Sequence, residues 1–207
     1  MKTPRAAGAA LRRVNERPTR DFSQAVRLYS RLATHYVSRN DLEGESSAYH
    51  QLGTIAQQER DFAQARDWYR KSLEIEKKQG NLHGEAITYH QLGTIAQKEK
   101  DFTGARGCYL KSLAIREQQG DLHGAASAYG DLGIMEGLQG NFIEAGRWLV
   151  QSVSSFTSAR DKQGAMRNTR NFLIFHQRAT LEDKQKLEAI WRDANLGPFP
   201  TPQGNQK

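Results

Sequence analysis

Cysteine is almost absent from this 207-residue chain. The single example, Cys108, excludes an internal disulfide framework and any zinc site made of several thiolates. No hydrophobic run approaches the roughly 18 apolar residues of a membrane helix. Apolar residues make up only 37%, against roughly 45–50% in an average domain. That argues against a thick, multilayered enzyme core. It suits an elongated protein whose units each bury one face against a neighbour. Acids are scarce at the start: within 1–40 only Glu16 and Asp21 oppose nine Lys and Arg, while the rest of the chain balances. The net +7 is therefore local, and nucleic-acid binding along the whole molecule is not expected. Met1–Arg13 lacks the apolar core of a secretory signal, so a cytoplasmic protein without a membrane span is expected. No HExxH, P-loop or GxSxG motif occurs.

What the chain has in abundance is itself. Gly44–His83 reads GESSAYHQLGTIAQQERDFAQARDWYRKSLEIEKKQGNLH, and Gly84–His123 reads GEAITYHQLGTIAQKEKDFTGARGCYLKSLAIREQQGDLH. About 25 of the 40 paired positions are identical. A third unit, Gly124–Gln163, keeps Gly124, Ala126, Tyr129, Leu132, Gly133, Phe142, Ala145 and Ser152 in register. Upstream, Asp21, Phe22, Ala25 and Tyr29 align with Asp61, Phe62, Ala65 and Tyr69.

Each unit predicts two helices. Tyr49, Leu52, Ile55 and Ala56 recur at helical steps, as do Phe62, Ala65, Tyr69 and Leu73. Arg60–Asp61 makes the tight turn between them. Gly80 and Gly120 end the second helices, with Asn81 and Asp121 as turn residues. Gly53 and Gly93 fall in mid-helix, where glycine costs about 1 kcal/mol relative to alanine. Its repetition there predicts a neighbouring helix too close for a side chain.

Tyr49, Leu52, Gly53, Ala56, Ala65, Tyr69 and Ser72 resemble the signature of the tetratricopeptide repeat. Tyr89, Leu92, Gly93, Ala96, Ala105, Tyr109 and Ser112 match it again. The third unit departs at Glu136 and Leu149, and the usual terminal proline is missing. The period of 40 rather than about 34 resembles the repeats of kinesin light chain and of Pins-type adaptors. The resemblance implies an all-α fold, a right-handed superhelix of antiparallel helix pairs. The expected organisation is a basic N-terminal arm over 1–19, including a degraded helix at Ala6–Val14, and a solenoid over 20–177. The solenoid divides into the second helix of a partial repeat (20–43), repeats 44–83, 84–123 and 124–163, and a partial repeat (164–177). Thr180 and Asp183 mark a capping box for a terminal helix over 178–196, and a disordered tail follows over 197–207.

The resemblance further implies a concave groove lined by first helices, which takes a peptide or a partner protein. Mapped onto this chain, the groove positions are His50, Gln51, Thr54 and Gln57, then His90, Gln91, Thr94 and Gln97. The third unit contributes Asp131, Ile134 and Leu138, and the fourth Arg167, Arg170 and Asn171. The first two sets offer neutral groups for a peptide main chain. Gly130 and Gly137 open a pocket beside Ile134 and Leu138 for an apolar anchor, and the two arginines suit a carboxylate. The same glutamines and histidines also fit a solvated helix surface, and Ile134 and Leu138 a buried seam. The lysine-based clamp of some repeats of this kind is missing from the first two units. His50 and His90 lie one repeat apart, about 8–10 Å between helix axes, too far to share one zinc. No metal, cofactor or enzymatic activity is expected. Two alternatives stay open beside the scaffold: self-assembly into a homo-oligomer, and weak binding of nucleic acid or an acidic surface by the basic arm.

Overall fold

The computed structural model describes residues 22–200. Among these, nine helices follow one another without a strand: α1 (Ser23–Ser38), α2 (Leu42–Gln58), α3 (Phe62–Gln79), α4 (Leu82–Lys98), α5 (Phe102–Gln118), α6 (Leu122–Leu138), α7 (Phe142–Ser158), α8 (Lys162–Arg178) and α9 (Leu181–Asp193). They build an all-α superhelix of antiparallel pairs. The expected helix at Ala6–Val14 lies outside the described residues.

A single local device repeats every twenty residues. Asn40, Arg60, Gly80, Lys100, Gly120, Gly140 and Arg160 all take a left-handed backbone, with φ between 53° and 87°. The residue after each is always Asp or Asn. Its backbone N–H reaches back to the carbonyl five residues earlier, as Asp61 does to Ala56 and Asn81 to Glu76, both at 2.9 Å. That closes the outgoing helix as a Schellman motif. Its side chain then caps the incoming helix. Asp41, Asp61, Asn81, Asp101, Asp121 and Asp161 each accept the N–H of the third residue on, at 2.8–3.0 Å. One residue thus ends one helix and starts the next. Asn81 and Asp121 are therefore helix N-caps as well as turn residues, and the first helices begin ahead of Gly84 and Gly124.

Helices pack more extensively within a unit than between units. Tyr69 of α3 lies against Gly53 of α2, Tyr109 of α5 against Gly93 of α4, and Leu149 of α7 against Gly133 of α6. A Cβ on these glycines would stand 2.8, 2.7 and 2.7 Å from the facing side chain. Ala65, Ala105 and Ala145 are wholly buried beside them. Farther along, Ser72, Ser112 and Ser152 lie 2.9, 2.7 and 2.7 Å from the carbonyls of Ser46, Ala86 and Ala126. Each buried hydroxyl pins the second helix to the first turns of its partner.

The device loses its side-chain cap at Asn141, whose amide donates instead to Glu136 Oε2 at 2.8 Å, and fails altogether after α8. Ala179 and Thr180 are extended, with ψ of 159° and 165°. Thr180 still caps α9 by accepting the Asp183 N–H at 3.2 Å. The altered link lays α9 mainly across α7, where Leu187 and Trp191 join a core with Leu149, Phe172 and Phe175. Residues 197–200, expected to be disordered, are instead laid on this cap through Phe199. Its ring sits 6.1 Å from Phe172, 6.3 Å from Trp191 and 4.9 Å from His176.

These contacts separate two kinds of helical glycine. Gly93→Ala drives a methyl into the Tyr109 ring and is expected to cost about 1–3 kcal/mol as overpacking. Gly107→Ala, in mid-helix with nothing within 4 Å of a new Cβ, is expected to gain up to about 1 kcal/mol from helix propensity. Urea unfolding of the two variants beside wild type checks both signs.

Candidate functional site

The first helices α2, α4, α6 and α8 lie side by side and are joined by side chains. His50 Nδ1 stands 3.4 Å from Thr88 Oγ1 across α2 and α4. His90 Nε2 stands 3.2 Å from Asp131 Oδ2 across α4 and α6. Arg167 of α8 acts electrostatically on Asp131. All fourteen residues expected at the groove occupy these four helices.

Their roles divide. In the first unit the His50 ring packs on Tyr69 at 5.2 Å between centroids. The Tyr69 hydroxyl donates to Gln57 Oε1 at 2.8 Å, and Thr54 Oγ1 lies 3.3 Å from it. The Thr54 hydroxyl also donates to the His50 carbonyl at 3.1 Å. The second unit repeats this, with His90 on Tyr109 at 5.5 Å and Tyr109 donating to Gln97 at 2.8 Å. Thr94 again donates to the His90 carbonyl. Three of the four residues in each unit thus engage the tyrosine that fills the glycine notch. The fourth, Gln51 or Gln91, does not engage the tyrosine; Gln51 is exposed and Gln91 half-buried.

Asp131 takes the register position of Gln51 and Gln91 in the third unit. Burial pushes its carboxyl up to about 6, against the opposing pull of Arg167. His90 is held down to about 4, first by burial and then by the nearby Arg116. Geometry gives the same order. His90 Nδ1 is buried without a partner among the described residues, so a second ring proton would have nowhere to bond. At neutral pH the pair is a neutral imidazole donating Nε2–H to a carboxylate. Burial also lowers His50.

The pocket expected at Gly130 and Gly137 is absent, because the next unit occupies the space. A Cβ on Gly130 would meet Asn168 at 3.0 Å, and one on Gly137 would meet Phe175 at 2.3 Å. Leu138 is nonetheless 59% exposed and Ile134 half-buried. Arg167 and Arg170 are exposed, with the Arg167 guanidinium 5.7 Å from the Phe156 ring centroid. Asn171 donates to Asn168 Oδ1 at 3.3 Å. Arg170 also lines a cleft of about 770 Å³ with Met166, Leu173, Ile174 and Trp191. Met166 was not visible as a site residue, since the fourth unit has drifted from the others. No group of three metal-ligating side chains occurs among the described residues. Nor is any described helix long and apolar enough to cross a membrane.

Tetratricopeptide repeat family models match residues 46–79 and 84–158, together more than half the chain. The chain is a tetratricopeptide repeat protein. No curated protein matches it in sequence. Among solved structures it resembles BtubC (BKLC) from P. vanneervenii, at 20% identity and a TM-score of 0.73. That likeness covers 91% of this chain and 80% of the other. It also resembles a kinesin light chain candidate of Podosopora anserina with nearly identical TPR-like repeats. There the identity is 14% and the TM-score 0.57, over 83% of this chain and 95% of the other. At these identities the likeness is one of fold. Repeats of this family generally mediate protein–protein interaction and are generally non-enzymatic.

The His90–Asp131 pair predicts two opposed pH effects. Asp131 is raised from 3.8 to about 6, so its contribution to stability is full below pH 3.8 and is lost as pH climbs through 6. His90 is lowered from 6.5 to about 4, so its contribution is full above pH 6.5 and is lost as pH falls through 4. Asp131→Asn should leave a protein that weakens on acidification across this window. His90→Gln should leave one that weakens as pH rises across it. Denaturation midpoints measured between pH 4 and 7 test both slopes.

Proposed function

We propose that the protein is a non-enzymatic scaffold whose first-helix face binds a polypeptide segment of a partner. The observation that carries this reading is the row Gln51, Gln91, Asp131 and Asn171, set at forty-residue intervals on adjacent helices, with Gln51 exposed and the other three half-buried. Neighbouring axes stand about 8–10 Å apart, and an extended chain advances about 3.3 Å per residue. Each first helix therefore meets every third residue of an extended ligand. Amides at one end of the face address a main chain. Leu138, Met166 and Ile174 at the other end address apolar side chains, with Arg167 and Arg170 for an acidic group. A cytoplasmic setting belongs to this reading, and the single free thiol Cys108 fits a reducing compartment.

The test is affinity capture from a native extract, read by mass spectrometry, with wild type beside Gln51→Ala/Gln91→Ala. Those two glutamines are preferred to His90, whose ring supports Tyr109 and Asp131. The expected result is a partner enriched by wild type and lost from the variant at unchanged melting temperature. Identical capture by both, or recovery of this protein alone, overturns the reading and favours another surface or self-assembly.

A further inference from the structure

The first two units are near copies, yet they differ in charge at one position that the first unit buries. Glu76 of α3 corresponds to Arg116 of α5. In the second unit the Arg116 guanidinium lies over Gly124, with Nε donating to Ser112 Oγ at 3.1 Å and Nη1 to Asp121 Oδ2 at 2.8 Å. In the first unit the equivalent space borders a cavity of about 190 Å³ between α2 and α4. Its walls are Glu43, Ser46, Ser47, His50 and Gln51 of α2, Glu76 of α3, and Asn81, Gly84 and Ile87 beside it. No lysine or arginine lines it, and burial keeps His50 toward the neutral form.

Glu76 is 5% exposed, and its Oε2 has no hydrogen-bond partner among the described residues. Its Oε1 accepts from Ser72 Oγ at 2.9 Å and from Thr88 Oγ1 at 3.1 Å. Ser72 has a single proton, and the Ser46 carbonyl, also 2.9 Å away, competes for it. In the other units the group beside the serine brings a donor of its own, Arg116 to Ser112 and Asn168 to Ser152. Burial raises the Glu76 carboxyl, and Glu85 on α4 raises it further, against the pull of Ser72 and Thr88. A buried acid with an unmet oxygen beside a cavity is an incomplete ion pair.

We propose that this cavity is a subsite for one lysine or arginine side chain of a bound polypeptide, with Glu76 as its counter-ion. The proposal rests on reading the first-helix face as a polypeptide-binding surface. The entering cation donates to Oε2, while Ser72 and Thr88 continue to donate to Oε1. Ser46, Ser47, Gln51 and Asn81 supply acceptors for the remaining donors.

The test uses the full chain and two blocked pentapeptides, Ala-Ala-Lys-Ala-Ala and its norleucine counterpart, followed by backbone and side-chain carboxyl NMR. The lysine peptide should give saturable shifts at Asn81, Gly84 and Ser47, and should shift the Glu76 carboxyl carbon. The norleucine peptide should give neither. Glu76→Gln, which keeps the side-chain shape and an acceptor for Ser72 and Thr88, should weaken lysine-peptide binding about tenfold or more. Gly84→Ala should weaken it too, since its Cβ would stand 3.0 Å from Glu76 Cδ. Equal shifts from both peptides, or full affinity in both variants, overturns the subsite. The two readings fail separately. A captured partner that depends on Gln51 and Gln91, with no lysine response, removes the subsite alone. A lysine response without such a partner removes the scaffold reading alone.

Discussion

The binding face depends on how closely the two helices of a unit approach. At Gly53 and Gly93 the absent side chain lets Tyr69 and Tyr109 lie flat against the first helix. Each ring is almost wholly buried, but its hydroxyl emerges where Gln57 or Gln97 can accept it. The tyrosine therefore couples the core to the face. It fixes the histidine ring stacked on it and draws in the threonine one turn later. An apolar residue of similar size could fill the notch, as Leu149 does over Gly133. It could not organise the polar row, and that row is lost in the third unit.

The same approach explains why the turns are so uniform. Helices held at one separation need one connection, and a Schellman closure sharing its last residue with an Asx cap is short enough to supply it. The left-handed residue is glycine at Gly80, Gly120 and Gly140 but Asn40, Arg60, Lys100 and Arg160 elsewhere. A left-handed non-glycine residue costs roughly 1–2 kcal/mol, so packing of the flanking helices must hold those turns. Where packing changes, at α9, the turn changes with it.

Legibility followed repetition. The helix pairs, the glycine notches and the N-cap at Thr180 were readable because each rests on local spacing, and most recur. The partition of His50, Thr54 and Gln57 toward Tyr69, with Gln51 facing out, was not readable. It is decided by side-chain directions across a helix interface. The expected pocket at Gly130 and Gly137 failed for a related reason. Losing bulk in one helix makes a hole only if the next unit does not enter it, and Asn168 and Phe175 do. Their counterparts in the earlier units are Ala48, Thr88 and Ala128, and Ile55, Ile95 and Met135, so alignment of repeats gave no warning. Glu76 lay in plain view as a mismatch between near-identical units. Its meaning needed the geometry of Ser72.

That serine carries the last step. Ser72, Ser112 and Ser152 each pin a first-helix carbonyl that cannot donate in return. The hydroxyl has one proton, and a neighbour that brings a donor of its own leaves that proton to the carbonyl. Arg116 and Asn168 do so. Glu76 takes the hydroxyl as a donor instead and shares its proton with the Ser46 carbonyl. A backbone contact common to every unit thus leaves one acid short of donors in one unit. The position that Arg116 fills with a cation is, at Glu76, one that a cation from outside would complete.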